Sequence, residues 1–211
     1  MIDPYSRDLW THRSLFVGVA LGLIFVRILP LGTEVGTWGW LDWLMRLFVG
    51  SDAGTGVLLR VTTGTSDGKW PGPDVLLCLI LAWVQRRPDY LPALLIAGVV
   101  LTEDFLLMRP PGLWTALVLI GAEFLRSRVA LTRELSFGME WGLIAAVMMT
   151  LLLAYRAIFA VFFMPQPGFG FAMVQVVGSI LCYPVVVYLS HWALGVHKPA
   201  MGEIDEMGRR L

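Results

Sequence analysis

The segment GMEWGLIAAVMMTLLLAYRAIFAVFFM, residues 138–164, carries only two charged side chains, Glu140 and Arg156. An apolar helix of about 20 residues is long enough to cross the hydrocarbon core of a bilayer. Five more apolar segments occupy most of the remaining chain. Because a soluble protein of this size could not bury so many apolar residues, the sequence predicts an integral membrane protein.

The composition supports this prediction. Hydrophobic residues make up 57% of the 211 residues and charged residues 15%, and the mean hydropathy is +0.71. Soluble domains contain about a quarter charged residues. The formal net charge is zero, so the chain lacks the basic surface that nucleic-acid binding requires. Cys78 and Cys182 lie in apolar segments and have no zinc-type spacing, and we expect neither a metal nor a cofactor.

We predict an all-α integral membrane protein in which residues 1–211 form one domain of six transmembrane helices. The predicted spans are about 9–30, 73–86, 90–108, 112–127, 138–164 and 168–195. Spans 73–86 and 112–127 are shorter than a bilayer requires and could form a re-entrant pair. Each of them ends in a basic cluster, which favours true crossings.

The distribution of basic residues predicts the orientation. With a cytoplasmic N-terminus, ten Lys and Arg residues lie inside, four lie outside and two, Arg27 and Arg156, lie within spans. This excess matches the positive-inside rule, so both termini are predicted to be cytoplasmic.

The longest predicted outer segment is a loop at residues 31–70. Its tryptophan-rich part, residues 37–48, is typical of a helix in the headgroup layer, although a loop that packs its tryptophans on the bundle fits equally well. Residues 198–211 form a short polar tail.

Six ionisable side chains are predicted to lie toward the outer ends of four different spans. They are Arg27, Asp74, Glu103, Asp104, Arg109 and Arg156. Charges within a bilayer are costly and usually face the interior of a bundle, where they pair with each other. These residues therefore form either a salt-bridge layer that fixes helix packing, or a polar face that binds a ligand or a partner helix. Glu123 and Glu140, at the inner ends of spans, are interpreted as interfacial groups that reach toward water.

The sequence does not favour an enzyme. Ser179 and His191 fall on one predicted helix, twelve residues apart, so about 18 Å separates them. A serine nucleophile needs its base within hydrogen-bond distance. No nucleotide-binding or metal-binding motif is present. We therefore predict no catalytic residues.

Residues 70–128 resemble the rod shape-determining protein MreD family, most closely its alphaproteobacterial members. The stretch WPGPDVLLCLILAWVQRRPDY, residues 70–90, is similar to the second-span region of that family. The stretch EDFLLMRPPGLWTAL, residues 103–117, is similar to its acidic third span and the turn that follows. Pro73, Asp74, Asp104 and Gly112 match the family pattern, whereas residues 33–68 form a longer segment than the family has.

The resemblance implies a non-enzymatic inner-membrane subunit of the bacterial elongasome, which supports peptidoglycan synthesis and cell shape. It implies that MreC is a direct partner, and that MreB, RodZ, RodA and penicillin-binding protein 2 (PBP2) belong to the wider complex. It also implies a fold like that of the substrate-binding S-components of energy-coupling-factor transporters. The alternative is therefore a small-molecule-binding membrane subunit of such a transporter.

Overall fold

The structure is a computed structural model, and it describes residues 4–28, 72–132, 136–164, 166 and 168–194. Within these ranges all regular structure is helical, which confirms the predicted fold class. The helices are α1 (Pro4–Ile28), α2 (Val75–Arg86), α3 (Ala93–Leu106), α4 (Leu113–Thr132), α5 (Phe137–Val161) and α6 (Phe169–Leu194), with a short 3₁₀ helix at Pro88–Tyr90. The predicted loop 31–70, its segment 37–48 and the tail 198–211 lie outside the described residues.

Three of the helices are long and apolar enough to cross a membrane. The segments concerned are Leu9–Ile28, Phe137–Val161 and Phe169–Trp192. Among the described residues, only 17% to 33% of those in the most apolar windows are buried, so most of these residues keep some exposed apolar surface. Such surface is stable in lipid and not in water, which indicates a membrane protein.

The lengths of α3 and α4 differ from the prediction. Helix α3 has 14 residues, or about 21 Å, because Pro92 precedes its first turn and two prolines follow Arg109. Helix α4 has 20 residues and continues to Thr132, five residues past the predicted end. Its last turns contain Arg126 and Arg128, and charged residues of this kind are good helix formers. The two short helices are therefore α2 and α3, whereas the sequence predicted α2 and α4 to be the short ones.

Helix α2 lies at the centre of the bundle. Every residue from Leu76 to Arg86 is buried, including Trp83, which has no exposed surface. It packs most extensively against α6, then against α4, and also against α1. The surrounding helices contact each other in the order α1, α3, α4, α5 and α6. Residues 75–84 are apolar on every side of the helix, as expected for a helix that its neighbours surround.

Helix α2 is parallel to α6, and the first residues of α2 lie beside the middle of α6. The Asp74 amide donates to Ser179 Oγ at 2.7 Å, and the Trp83 indole donates to Ser190 Oγ at 3.3 Å. Since Ser179 is ten residues beyond the first residue of α6, the start of α2 lies about 15 Å along α6. Asp74 is thus deeper in the bundle than the sequence predicted.

Helix α1 is attached to the bundle near both of its ends. His12 stacks on Tyr90 with ring centroids 4.5 Å apart, and Arg13 donates to the Asp89 carbonyl at 3.1 Å. At the other end Arg27 contacts Glu103 of α3. Between them Phe16 packs on Trp83. The opposite face, which includes Gly18, is exposed.

Helix α6 contains a proline, Pro184, which has no N–H to donate, and a side chain of a neighbouring helix supplies the missing donor. In a regular helix residue 184 would donate to the carbonyl of Ile180, and proline cannot do so. The indole Nε1 of Trp141, on α5, donates to this carbonyl at 2.8 Å. In lipid an unsatisfied carbonyl costs free energy, so this bond permits the proline and joins α5 to α6.

Replacing Trp141 with Phe keeps an aromatic ring but removes the donor, and we expect the free energy of unfolding to fall by about 1 kcal/mol. In a Pro184→Ala background the same replacement should cost less, because the alanine amide can donate to Ile180. Equilibrium unfolding of the four proteins in micelles measures the difference. Trp192→Phe, at a 78% exposed position, is the control. An equal cost in both backgrounds would contradict this account.

Candidate functional site

Asp74, one of the six charged residues predicted to lie near the outer ends of the spans, caps α2. Its Oδ1 accepts from the Leu77 amide at 3.1 Å, as an N-cap side chain does, and its own amide donates to Ser179. Pro73 is buried beside it, and its Cβ lies 3.8 Å from where a Cβ would stand at Gly178. Both Pro73 and Asp74 therefore set the start of the central helix.

Arg27 joins Asp74 to Glu103. The Arg27 guanidinium lies 3.5 Å from Asp74 Oδ1 and makes a close ion pair with Glu103 Oε1. Asp74 is 6% exposed and Glu103 is 1% exposed, so water screens this pair little. We call Arg27, Asp74 and Glu103 the Asp74 cluster; it connects α1, α2 and α3.

Asp104 holds the turn between α3 and α4. Its Oδ2 accepts from the Gly112 amide at 3.2 Å, the Thr115 amide at 3.2 Å and the Thr115 hydroxyl at 2.8 Å. These amides are at the start of α4, where backbone donors have no partner within the helix and an anion is favoured. The side chain is fully buried, and among the described residues its Oδ1 has no hydrogen-bond partner.

The same turn contains a strained backbone at Met108. Helix α3 ends in a Schellman motif, in which the Met108 amide donates to the Phe105 carbonyl and the Arg109 amide to the Asp104 carbonyl. Met108 has φ 51°, the left-handed conformation in which glycine is usual, and its side chain is 95% exposed. Gly112 has φ 87°, where a side chain would be strained.

Arg109 and Arg156 lie over aromatic rings. The Arg109 guanidinium is 5.8 Å from the centre of the Trp114 ring, and that of Arg156 is 5.3 Å from the Phe169 ring. Trp114 also contacts Tyr155 edge to face. Both arginines are half-buried, at the end of the bundle where α3 and α5 finish. Cation–π contacts of this kind hold a guanidinium in place.

The structure thus brings three of the six predicted residues into direct contact, namely Arg27, Asp74 and Glu103. Asp104 follows Glu103 in α3 but binds the start of α4. The Arg109 and Arg156 guanidiniums lie over aromatic rings, and the backbone carbonyl of Arg156 accepts from the Gln166 side-chain amide at 3.0 Å. For the carboxylates this geometry favours the structural interpretation over a partner-binding face.

A second buried ion pair, which the sequence did not predict, lies at the other end of α2. Arg86 donates to Glu140 Oε1 at 2.7 Å, and the Tyr183 hydroxyl donates to the same oxygen at 3.0 Å. Glu140 is 1% exposed and Tyr183 is fully buried. We call these three residues the Arg86 cluster; it connects α2, α5 and α6.

The interpretation of Glu140 as an interfacial group is therefore wrong. Its helix packs against α6 with the carboxylate turned inward, where Arg86 and Tyr183 replace water. Glu123 differs, because its side chain is 50% exposed and pairs with Arg126 one turn along α4. The adjacent residues do not separate the two acids, because Glu140 is flanked by Met139 and Trp141 and Glu123 by Ala122 and Phe124, which are apolar in both cases.

Comparison with known proteins adds no identification: no family model, no curated protein and no solved structure matches the chain. The resemblance to the MreD family rests on the sequence motifs. In the part of the chain that the structure describes, no group of three or more His, Cys, Asp or Glu side chains could hold a metal ion. Ser179 and His191 both lie on α6.

Glu140→Ala leaves Arg86 buried without its partner carboxylate, and we expect a loss of about 3–5 kcal/mol in unfolding free energy. Glu123→Ala removes an exposed pair of the same type and should cost less than about 1 kcal/mol. Both are measured by unfolding in the same detergent. Similar losses for the two variants would contradict the buried position of Glu140.

Met108→Gly and Gly112→Ala should have opposite effects, although both lie in one turn. The first relieves the left-handed strain and removes little buried surface, so stability should rise by about 1 kcal/mol; the second introduces strain and should cost at least about 1 kcal/mol. Thermal denaturation in micelles is the measurement. A loss of stability in Met108→Gly would show that its side chain makes a stabilising contact in the folded protein.

Proposed function

We propose that the chain is a non-enzymatic inner-membrane scaffold of the bacterial elongasome and that it binds MreC. MreB, RodZ, RodA and PBP2 would be reached through the wider complex. On this proposal the chain crosses the membrane six times with both termini in the cytoplasm. The sequence motifs of residues 70–128 and the excess of basic residues on one side support it.

The observation that carries the proposal is that the buried carboxylates hold the helices together. The three carboxylates Asp74, Glu103 and Asp104 are buried and bind other parts of the bundle. This arrangement suits a rigid body that presents a surface to another protein.

Two half-buried arginines offer polar anchors on that surface. Arg109 and Arg156 lie at one end of the bundle, each against an aromatic ring that limits its motion. A pre-positioned guanidinium loses little entropy when it binds a carboxylate of a partner. Just after Arg156 in the chain, the side chains of Val161, Phe162 and Phe163 are more than half exposed. Apolar packing with a polar anchor is how helices associate in lipid.

Arg156→Gln should weaken co-purification with MreC by about tenfold, or about 1.4 kcal/mol, because the charge is lost and the stem is kept. Because this variant also loses the contact with the Phe169 ring, binding is compared at equal amounts of folded protein. Arg128→Gln is the matched control, since Arg128 lies 5.5 Å from the Phe124 ring at the opposite end of the bundle.

Equal MreC binding by wild type and Arg156→Gln would argue against this anchor. A failure of the wild-type chain to bind MreC would overturn the scaffold proposal as a whole. If the wild-type chain instead co-purifies with a transporter ATPase, the small-molecule-binding alternative is favoured.

A further inference from the structure

The outer surface of the bundle differs in apolar length from one side to the other. Helices α5 and α6 contain apolar segments of 25 and 24 residues, or about 36 Å each. Helix α3, with 14 residues, measures about 21 Å, and prolines lie just beyond both of its ends. Because the hydrocarbon core of a bilayer is about 30 Å thick, α3 is too short to cross it at its usual thickness.

Helix α4, which packs beside α3, has a short apolar face as well. Ile120 is exposed on this face, but the next turn carries Glu123, whose side chain is 50% exposed and pairs with Arg126. Glu123 lies ten residues, or about 15 Å, from the first residue of α4. Arg126 also donates to the carbonyl of Leu91, just before α3 begins. The charged part of α4 is therefore level with the start of α3, and the two helices share one short apolar band.

The packing of α4 on α5 gives the depth of this charged part relative to a long helix. A Cβ at Gly121 would lie 3.3 Å from Leu151 Cδ1 and 3.4 Å from Val147 Cγ1. Nearer the start of α4, Trp114 contacts Tyr155 edge to face. The two helices are therefore antiparallel, and Gly121 is level with the turn of α5 between Val147 and Leu151.

This register places Phe124 of α4 level with Ala146 of α5, and both residues are exposed. From Ala146, α5 continues for nine residues, or about 14 Å, before it reaches its first residue, Phe137. The one charged residue of that stretch, Glu140, is buried, whereas Met139 is exposed. At the depth where α5 presents apolar side chains, α4 thus presents an ion pair.

A flat bilayer of even thickness cannot suit both helices. If its boundary lay at Phe137, the exposed pair of Glu123 and Arg126 would start about 14 Å inside, farther than these side chains reach toward water. Charge in hydrocarbon is costly, whereas local thinning of a bilayer has a modest cost. Thinning on the side of α3 and α4 removes the conflict and leaves the apolar surface of α5 covered.

We propose that the face formed by α3 and α4 thins the bilayer beside it, at the end of the bundle that carries Arg126. Phospholipid headgroups and water reach Glu123 and Phe124 there, while the bilayer beside α5 and α6 keeps its full thickness. The partner of this face is lipid, because the apolar band fits shortened acyl chains and the exposed Arg128 fits a phosphate. The proposal requires that the chain lie in a membrane, and it does not depend on MreC.

Alkylation of introduced cysteines in lipid nanodiscs tests this proposal. A charged maleimide reacts with the thiolate, which forms in contact with water and not in hydrocarbon. Phe124→Cys and Ala146→Cys place a thiol at one depth on α4 and on α5. Phe124→Cys should react at least about tenfold faster than Ala146→Cys, because only the first thiol meets water. The wild-type chain, whose Cys78 is buried and Cys182 half-buried, gives the background rate.

Ile120→Cys is the depth control, since it lies one turn from Phe124 on the same face of α4 and should react as slowly as Ala146→Cys. Rates are compared at equal amounts of folded protein. Equal rates for Phe124→Cys and Ala146→Cys would overturn the proposal, whether both are fast or a second copy or full-thickness lipid covers the face. Fast reaction of Ile120→Cys would also overturn it, because water would then fill a cleft along α4. The purified chain alone is used, so these outcomes are separate from MreC binding.

Discussion

The structure depends on how the two ends of the buried helix α2 are made stable. A helix of 12 residues has unpaired amides at its start and carries Arg86 at its end, and neither end reaches past the surrounding helices. At one end Asp74 satisfies an amide and is paired with Arg27; at the other Arg86 is paired with Glu140. Without these partners α2 could not occupy the centre, since an isolated buried charge costs several kcal/mol.

These two clusters also determine which helices lie beside α2. In lipid, apolar side chains gain little by leaving hydrocarbon for another helix, so apolar packing alone selects partners weakly. The Asp74 cluster requires α1 and α3 at one end, and the Arg86 cluster requires α5 and α6 at the other. A wrong arrangement would leave a charge buried and unpaired. The net gain from each pair is small, but the cost of a mispairing is large, and the clusters therefore act mainly by specifying the fold.

Hydrophobic length in the sequence predicted the all-helical class, and the cost of charge in lipid placed Arg27, Asp74 and Glu103 in one group, whose members are in contact in the structure. It did not predict the Arg86 cluster. Whether a charge near a helix end turns to water or inward depends on the neighbour that covers it, and Glu140 is covered by Tyr183 from a helix 43 residues away. The bond from Trp141 to the Ile180 carbonyl escaped prediction for the same reason. The local sequence pattern predicts where a helix forms, whereas contacts between helices that are distant in sequence become known only from the three-dimensional structure.

The two clusters differ in their electrical composition, and this difference separates their roles. The Arg86 cluster has one guanidinium and one carboxylate, with a neutral hydroxyl that completes the solvation of the anion. It is balanced, so a change of protonation would break it. In the Asp74 cluster Arg27 is shared between two carboxylates, those of Asp74 and Glu103. Removal of one of these carboxylates leaves Arg27 with the other, whereas removal of Glu140 leaves Arg86 without its partner carboxylate. The two ends of α2 therefore differ in how much they depend on one side chain: the attachment to α5 depends on Glu140, whereas the attachment of α1 depends on a cation with two acids beside it.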